Sequence, residues 1–111
     1  MNEPRAVITG IGAVCAAGFD VDAVWAALSD PHGRPRRGHL EEHGFDPGPW
    51  MSPKVRRRSD PGSWYAVAAA TQAWQDAGAP EVDPTRKAVL VSVSHSGAVL
   101  AGEQERVLIE Q

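Results

Sequence analysis

Residues 61–77 read PGSWYAVAAATQAWQDA, and this stretch predicts the longest helix of the chain. Pro61 suits the first turn of a helix, Ser59 or Asp60 can cap its start, and Gly78 suits the position just past its end. Five alanines share one stripe of this helix, namely Ala66, Ala69, Ala70, Ala73 and Ala77. Because a stripe of methyl groups lets another backbone approach closely, we expect this helix to pack against a sheet or a second helix.

Two unbroken apolar runs lie on either side of that helix. Arg5 to Thr9 (RAVIT) and Ala88 to Val93 (AVLVSV) are typical of strands buried on both faces of a parallel sheet. Shorter helices are predicted at Asp20 to Leu28 and at Leu100 to Glu110 from their apolar spacing. The order strand, helix, irregular segment, helix, strand, helix predicts an α/β layered fold with a mainly parallel sheet flanked by helices.

The segment from Ser29 to Ser63 is irregular, with six of the nine prolines and seven of the eleven basic residues. A structureless loop of this length is unusual inside a compact domain. We therefore expect a short strand or hairpin within it, around His43 to Phe45.

The composition is that of one globular domain. The chain has 111 residues, of which 42% are hydrophobic and 23% charged, and its net charge of -3 gives no chain-wide basic field for nucleic acid. It contains neither a signal-peptide pattern nor an apolar run long enough to span a bilayer, so no membrane partner is expected. The single cysteine excludes an internal disulfide and fits a cytoplasmic protein.

Several short motifs have a chemical and a structural interpretation. Gly10 to Cys15 approaches the GxGxxG pattern of dinucleotide sites, but Cys15 replaces the third glycine and the next helix begins later, which favours a structural turn. His39-Leu40-Glu41-Glu42-His43 matches a zinc-peptidase pattern, yet five residues between two glycines are too short for a stable helix. We therefore expect no metal and no cofactor.

Cys15 and His95 also have both a chemical and a structural interpretation. Cys15 lies among apolar neighbours, which predicts a buried, unreactive thiol. His95 follows the second apolar run, where α/β proteins place ligands, but it has no identified partner and is taken as structural.

Lys54, Arg56, Arg57 and Arg58 form a basic run. Residues 34–58 carry a local net charge of +4, which leaves -7 for the rest of the chain. Such a run is either a solvated surface or a docking patch for an acidic partner.

Taken in order, three blocks of the sequence resemble the N-terminal part of a β-ketoacyl synthase (ketosynthase) of the thiolase-like superfamily. They are the opening strand and glycine turn (residues 6–14, then Gly18), the first helix (24–28), and an Arg-Arg-x-Asp block with an alanine-rich helix (57–60, 65–70 and 76–78). The resemblance implies a partial, incomplete thiolase-like layered fold over residues 1–111. The chain departs from the family at Ser92, Ser94 and Ser96, where a glycine-rich turn is usual.

The resemblance also implies a function. The family carries out decarboxylative Claisen condensation with a cysteine and two histidines, from motifs such as Thr-Ala-Cys-Ser and His-Gly-Thr-Gly-Thr, and this sequence contains neither motif. We therefore expect a truncated N-terminal portion of a β-ketoacyl-[acyl-carrier-protein] synthase of fatty acid or polyketide biosynthesis, with no catalytic residue of its own.

The roles left to such a portion are those of a scaffold, a dimer surface or a docking site. Its expected partners are an acyl carrier protein, bound through Lys54, Arg56, Arg57 and Arg58, and a ketosynthase-type partner chain or missing C-terminal half. Two alternatives stay open: a non-catalytic interaction module derived from the ketosynthase fold, and a small nucleotide-binding α/β domain. Because half of a layered fold leaves apolar surface bare, we expect the isolated chain to be poorly stable and to bind hydrophobic dyes.

Overall fold

The computed structural model describes residues 3–34, 36–95 and 97–110, and the regular structure in these ranges is helical. Ser96, one of the three serines at which the chain departs from the family's glycine-rich turn, lies outside the described residues. Four α-helices and two 3₁₀ turns follow one another along the chain: α1 (Val21–Ser29), a 3₁₀ turn (Leu40–His43), α2 (Pro53–Arg57), α3 (Pro61–Asp76), a 3₁₀ turn (Pro84–Arg86) and α4 (Ala98–Ile109). None of the helices described is both long enough and apolar enough to cross a bilayer.

The predicted helices α1, α3 and α4 are confirmed, and the first two begin at side-chain caps. An Asp20 carboxylate oxygen accepts a hydrogen bond from the Ala23 backbone N–H at 2.7 Å. An Asp60 oxygen accepts from the Gly62 N–H at 2.9 Å, and Pro61 stands in the first turn of α3. Each cap satisfies an N–H that has no partner inside its helix.

The predicted parallel sheet is wrong, and so is the α/β layered fold class inferred from it. The partial thiolase-like layered fold that the resemblance implied is wrong for the same reason. Residues 5–9 and 88–93 carry neither helix nor strand, and the single β-bridge among the described residues joins Cys15 to Gly18 within one turn. Ile8 is 86% exposed and Leu90 is 93% exposed. An apolar run becomes a buried strand only where neighbouring strands pair with its backbone, and the described part of this chain supplies none.

The core lies instead against the irregular segment. Among the residues whose burial is described, the buried hydrophobic ones are Leu40, Phe45 and Ala68, with exposures of 8%, 5% and 0%. The strand or hairpin predicted around His43 to Phe45 is also wrong, because Leu40–His43 forms a 3₁₀ turn that ends at Gly44 with a φ of 95°. This positive φ, which glycine adopts without steric cost, turns the chain so that Phe45 enters the core.

Aromatic side chains connect three distant parts of the sequence in this core. Phe45 meets Phe19 edge to face with ring centroids 5.5 Å apart, and it meets Tyr65 in the same way at 5.2 Å. Val14, Trp50 and Trp64 pack around the same cluster. The segment after the glycine turn, the irregular segment and α3 therefore share one small core.

The glycine turn covers the alanine stripe of α3, which we expected a sheet or helix to cover. A Cβ atom at Gly10 would overlap the Ala73 carbonyl oxygen, and one at Gly12 would overlap the Ala69 carbonyl oxygen. Only glycine permits this approach, because every other side chain would push the loop off the helix. The two glycines are thus used for packing.

Two polar side chains of α3 hold the same loop in place. Asp76 accepts a hydrogen bond from the Ile11 N–H at 3.0 Å. Gln72 accepts from the Ala13 N–H at 3.2 Å and donates to the Phe19 carbonyl at 2.7 Å. Gln72 therefore holds both Ala13 and Phe19 against α3.

The molecule as a whole is expanded. Its radius of gyration is 17.4 Å, whereas a compact domain of this length has about 13 Å. The exposed apolar segments are consistent with this difference.

Candidate functional site

The basic run lies on a short helix that local sequence explains. The Ser52 hydroxyl oxygen accepts from the Val55 N–H at 3.3 Å, and Pro53 opens α2. Arg58 forms the C-cap of the helix, with its N–H directed at the Val55 and Arg56 carbonyls. Cations near a helix C-terminus interact favourably with the carbonyl dipoles that end there.

The geometry of α2 divides the four basic residues into two groups. All four are exposed. Because side chains three and four positions apart lie on the same side of a helix, Lys54, Arg57 and Arg58 share one side. Arg56 lies about 100° around the helix from Arg57. We call Lys54, Arg57 and Arg58 the basic face.

Arg56 is held against an aromatic ring. Its guanidinium lies over the indole of Trp64, 5.2 Å from the ring centroid, which is a cation–π distance. The Trp64 Nε1–H donates to the Ser59 hydroxyl at 3.0 Å, and that hydroxyl donates to the Val55 carbonyl at 2.7 Å. Trp64 therefore connects α3 to α2 and fixes the orientation of the basic face.

A groove of about 290 Å³ runs between the α2–α3 junction and α4. Trp64 and Leu100 give it apolar walls, and its border carries two charges of each sign, from Arg56, Arg57, Asp60 and Glu103. Arg57 of the basic face thus borders this partly apolar groove, and so does Arg56.

The glycine pattern at Gly10 to Cys15 does not form a phosphate site in this structure. Its first two glycines face the backbone of α3, as described above. The neighbouring cavity is lined by three carboxylates, Asp20, Asp22 and Asp76, which would repel a phosphate. The structural turn is therefore the better interpretation.

Cys15 and the histidines occupy simple structural settings. Cys15 is exposed, so the prediction of a buried thiol is wrong. It lies at the start of a tight turn and exchanges two backbone hydrogen bonds with Gly18, of 2.9 and 3.1 Å. The His43 ring faces the Arg37 carbonyl, and His95 is exposed. Across the residues described, no three His, Cys, Asp or Glu side chains gather as metal ligands would.

The polar contact between Tyr65 and Glu41 was not predicted from the sequence. The Tyr65 hydroxyl donates to a Glu41 carboxylate oxygen at 2.7 Å. Burial of the phenol, together with this hydrogen bond and the charge of Glu41, raises the pKa of Tyr65 to about 12. The partners lie 24 residues apart, so no local pattern indicates the pair. It holds the 3₁₀ turn at Leu40–His43 against α3.

Three known proteins are similar to this chain. The chain is 30% identical to a putative polyketide beta-ketoacyl synthase 2 of Streptomyces coelicolor across 91% of its own length. It is 32% and 33% identical to the 3-oxoacyl-[acyl-carrier-protein] synthase 2 of Coxiella burnetii and of Rhizobium meliloti, across 70% and 71% of its length. The chain is thus similar to a part of three β-ketoacyl synthases. The resemblance to ketosynthases predicted from the sequence is thus confirmed.

The relation covers only part of those ketosynthases. The chain spans 27% of the length of the Streptomyces protein and 22% and 24% of the other two. No family model matches the chain. No solved structure matches it either.

Proposed function

We propose that this chain is a non-catalytic portion of a ketosynthase of fatty acid or polyketide biosynthesis, which provides scaffold and docks an acidic acyl carrier protein through its basic face. The names of the relatives support the class of pathway and, for two of them, the carrier protein. The single cysteine lies in a turn whose partner is Gly18, and neither active-site motif of the family occurs in the sequence. These features support a role without chemistry of its own.

The observation that carries the docking proposal is the common orientation of Lys54, Arg57 and Arg58. Three cations on one side of a helix present a concentrated positive field to a partner. Such a field accelerates encounter with an acidic protein and fixes its orientation. Arg56 carries the same charge, but its position over Trp64 assigns it to the support of α2.

The test is binding of the full chain to an acyl carrier protein, measured by titration calorimetry at low and high salt. We expect K54A/R57A to weaken binding about tenfold at low salt, because two exposed ion pairs contribute about 1.4 kcal/mol together. The difference should shrink at high salt, where exposed charges are screened.

A control variant with the same net charge separates docking from a general charge effect. R86A/R106A removes two exposed cations that lie in the second 3₁₀ turn and in α4. We expect it to bind the carrier protein nearly as well as the unmodified chain. Equal weakening in both double variants would refute a docking role for the basic face.

A further inference from the structure

The basic face lies on a helix that is too short to be stable by itself. Helix α2 has five residues, whereas an isolated helix needs about 12 to 15 residues to be even marginally stable in water. None of its residues is buried, and its single valine, Val55, is 51% exposed, so core packing does not hold it. The orientation of the basic face therefore depends on contacts that other elements make with α2.

Trp64 of α3 makes such a contact with the last turn of α2. Its indole N–H donates to the Ser59 hydroxyl, and that hydroxyl donates to the Val55 carbonyl, so one chain of two hydrogen bonds joins the two helices. The guanidinium of Arg56 lies over the same indole. One side chain of the 16-residue helix α3 thus holds both the backbone and a side chain of α2.

The other end of α2 has no comparable link to α3. There the Ser52 hydroxyl caps the Val55 N–H, which joins α2 to the residue just before it. A local cap favours the helical turn but does not fix its direction relative to the rest of the molecule. The direction is therefore set at the C-terminal end, where Trp64 acts.

We infer that Trp64 is a positioning residue for docking: through Ser59, its indole N–H holds the basic face in the orientation that an acidic carrier protein meets. The inference rests on the proposed function for the identity of the partner. A helix that is ordered before the encounter does not have to be ordered by the partner, and such pre-organisation raises affinity without a new contact. Trp64 acts through α2 and not by touching the carrier protein.

The first experiment compares W64F with W74F in the full chain. Phenylalanine keeps an aromatic ring beside the cation and removes the indole N–H. Trp74 is a matched control, because it lies nearer the C-terminal end of α3 and also has a cation over its ring, the Lys87 ammonium 5.0 Å from the centroid.

Titration calorimetry with an acyl carrier protein at low salt gives the affinities. We expect W64F to bind about fivefold more weakly, the factor that corresponds to the loss of one hydrogen bond. W74F should differ from the unmodified chain by less than about twofold. Both variants keep every charge of the basic face, so a difference between them does not come from lost ion pairs.

Ser59 allows a rescue experiment on the same chain of hydrogen bonds. S59A removes the hydroxyl and should weaken binding by about the same factor as W64F, whereas S59T keeps a hydroxyl and should bind normally. The double variant W64F/S59A should be no weaker than either single variant, because both substitutions break the same connection.

Amide hydrogen exchange reports the order of α2 without the carrier protein. The Arg56 N–H donates to the Ser52 carbonyl at 3.0 Å, and the Arg58 N–H donates to the Val55 carbonyl at 3.1 Å. We expect W64F and S59A to speed exchange at these two amides about fivefold and to leave the Phe45 amide of the core unchanged. A general loss of stability would instead speed exchange at all three amides by the same factor.

Two results would overturn the inference and leave the proposed function standing. One is unchanged carrier affinity in W64F when K54A/R57A weakens binding. The other is exchange at Arg56 and Arg58 that is no faster in W64F than in W74F. Normal carrier binding by K54A/R57A would refute the proposed function itself, and with it the docking role of Trp64, even if exchange in α2 became faster.

Discussion

The irregular segment 29–63 supplies buried core residues, although its composition suggests an exposed loop. The apolar run 88–93 is exposed, although its composition suggests burial. The first is rich in proline and charge, yet it supplies Leu40 and Phe45, which are 8% and 5% exposed, and the fully buried Pro47. The second has no charged residue, yet its Leu90 is 93% exposed. Burial in this chain therefore follows the availability of neighbours rather than local hydrophobicity.

The irregular segment reaches its neighbours through short turns. Phe45 donates its N–H to the Leu40 carbonyl at 3.0 Å, and the Gly48 N–H donates to Asp46 at 2.9 Å. Such turns satisfy the backbone locally and leave the side chains free to contact α3. The run 88–93 has no comparable contacts, so its side chains remain in water.

The largest effect on stability is expected at Phe45. We expect F45A to lower the free energy of unfolding by about 3 kcal/mol, because it leaves a cavity between Phe19 and Tyr65. L90A truncates a side chain that is already exposed in the free chain. It should therefore change the free energy of unfolding by less than about 0.5 kcal/mol. Urea denaturation followed by tryptophan fluorescence measures both. Similar losses in the two variants would show that the run 88–93 is packed after all.

A smaller effect is expected where the glycine turn meets α3. We expect G12A to cost about 2 kcal/mol, because its methyl group would overlap the Ala69 carbonyl oxygen. Gly102 of α4 has nothing within 4 Å of a built Cβ, so G102A should instead stabilise the chain by about 0.5 kcal/mol. Thermal unfolding of the two variants compares them. A neutral G12A would mean that the loop does not touch the helix in solution.

The smallest effect concerns the contact between Tyr65 and Glu41. Y65F should cost about 1 kcal/mol near neutral pH by removing the hydrogen bond. The raised pKa of about 12, against 10.0 for a free phenol, means that the folded chain holds its proton more tightly than the unfolded chain. The contribution of this raised pKa to the free energy of unfolding is fully present below pH 10 and is lost as the pH rises towards 12. Y65F should lack that decline in urea titrations at increasing pH, and an unchanged decline would assign it to other groups.

Local features of the fold could be predicted from the sequence, and contacts between distant residues could not. The helices α1 and α3 were predictable because Asp20, Asp60 and Pro61 mark their starts within a few residues. The sheet was not, since pairing depends on strands that a single apolar run does not reveal. Likewise, the contacts of Phe45 with Phe19 and Tyr65 span 26 and 20 positions, beyond any periodicity.

In the candidate site, too, local features could be predicted from the sequence and contacts between distant residues could not. The basic run was visible as a cluster of charge, and helix geometry separates Arg56 from the rest. The indole that holds Arg56 lies eight positions away on another helix, so the sequence alone gave no sign of the pairing.

Amide hydrogen exchange of the isolated chain tests most directly whether the irregular segment, rather than the apolar runs, is the packed part of the molecule. We expect measurable protection at the Phe45 amide, which donates to the Leu40 carbonyl, and exchange close to the unfolded rate across residues 5–9 and 88–93. Strong protection of the runs with free exchange at Phe45 would contradict it.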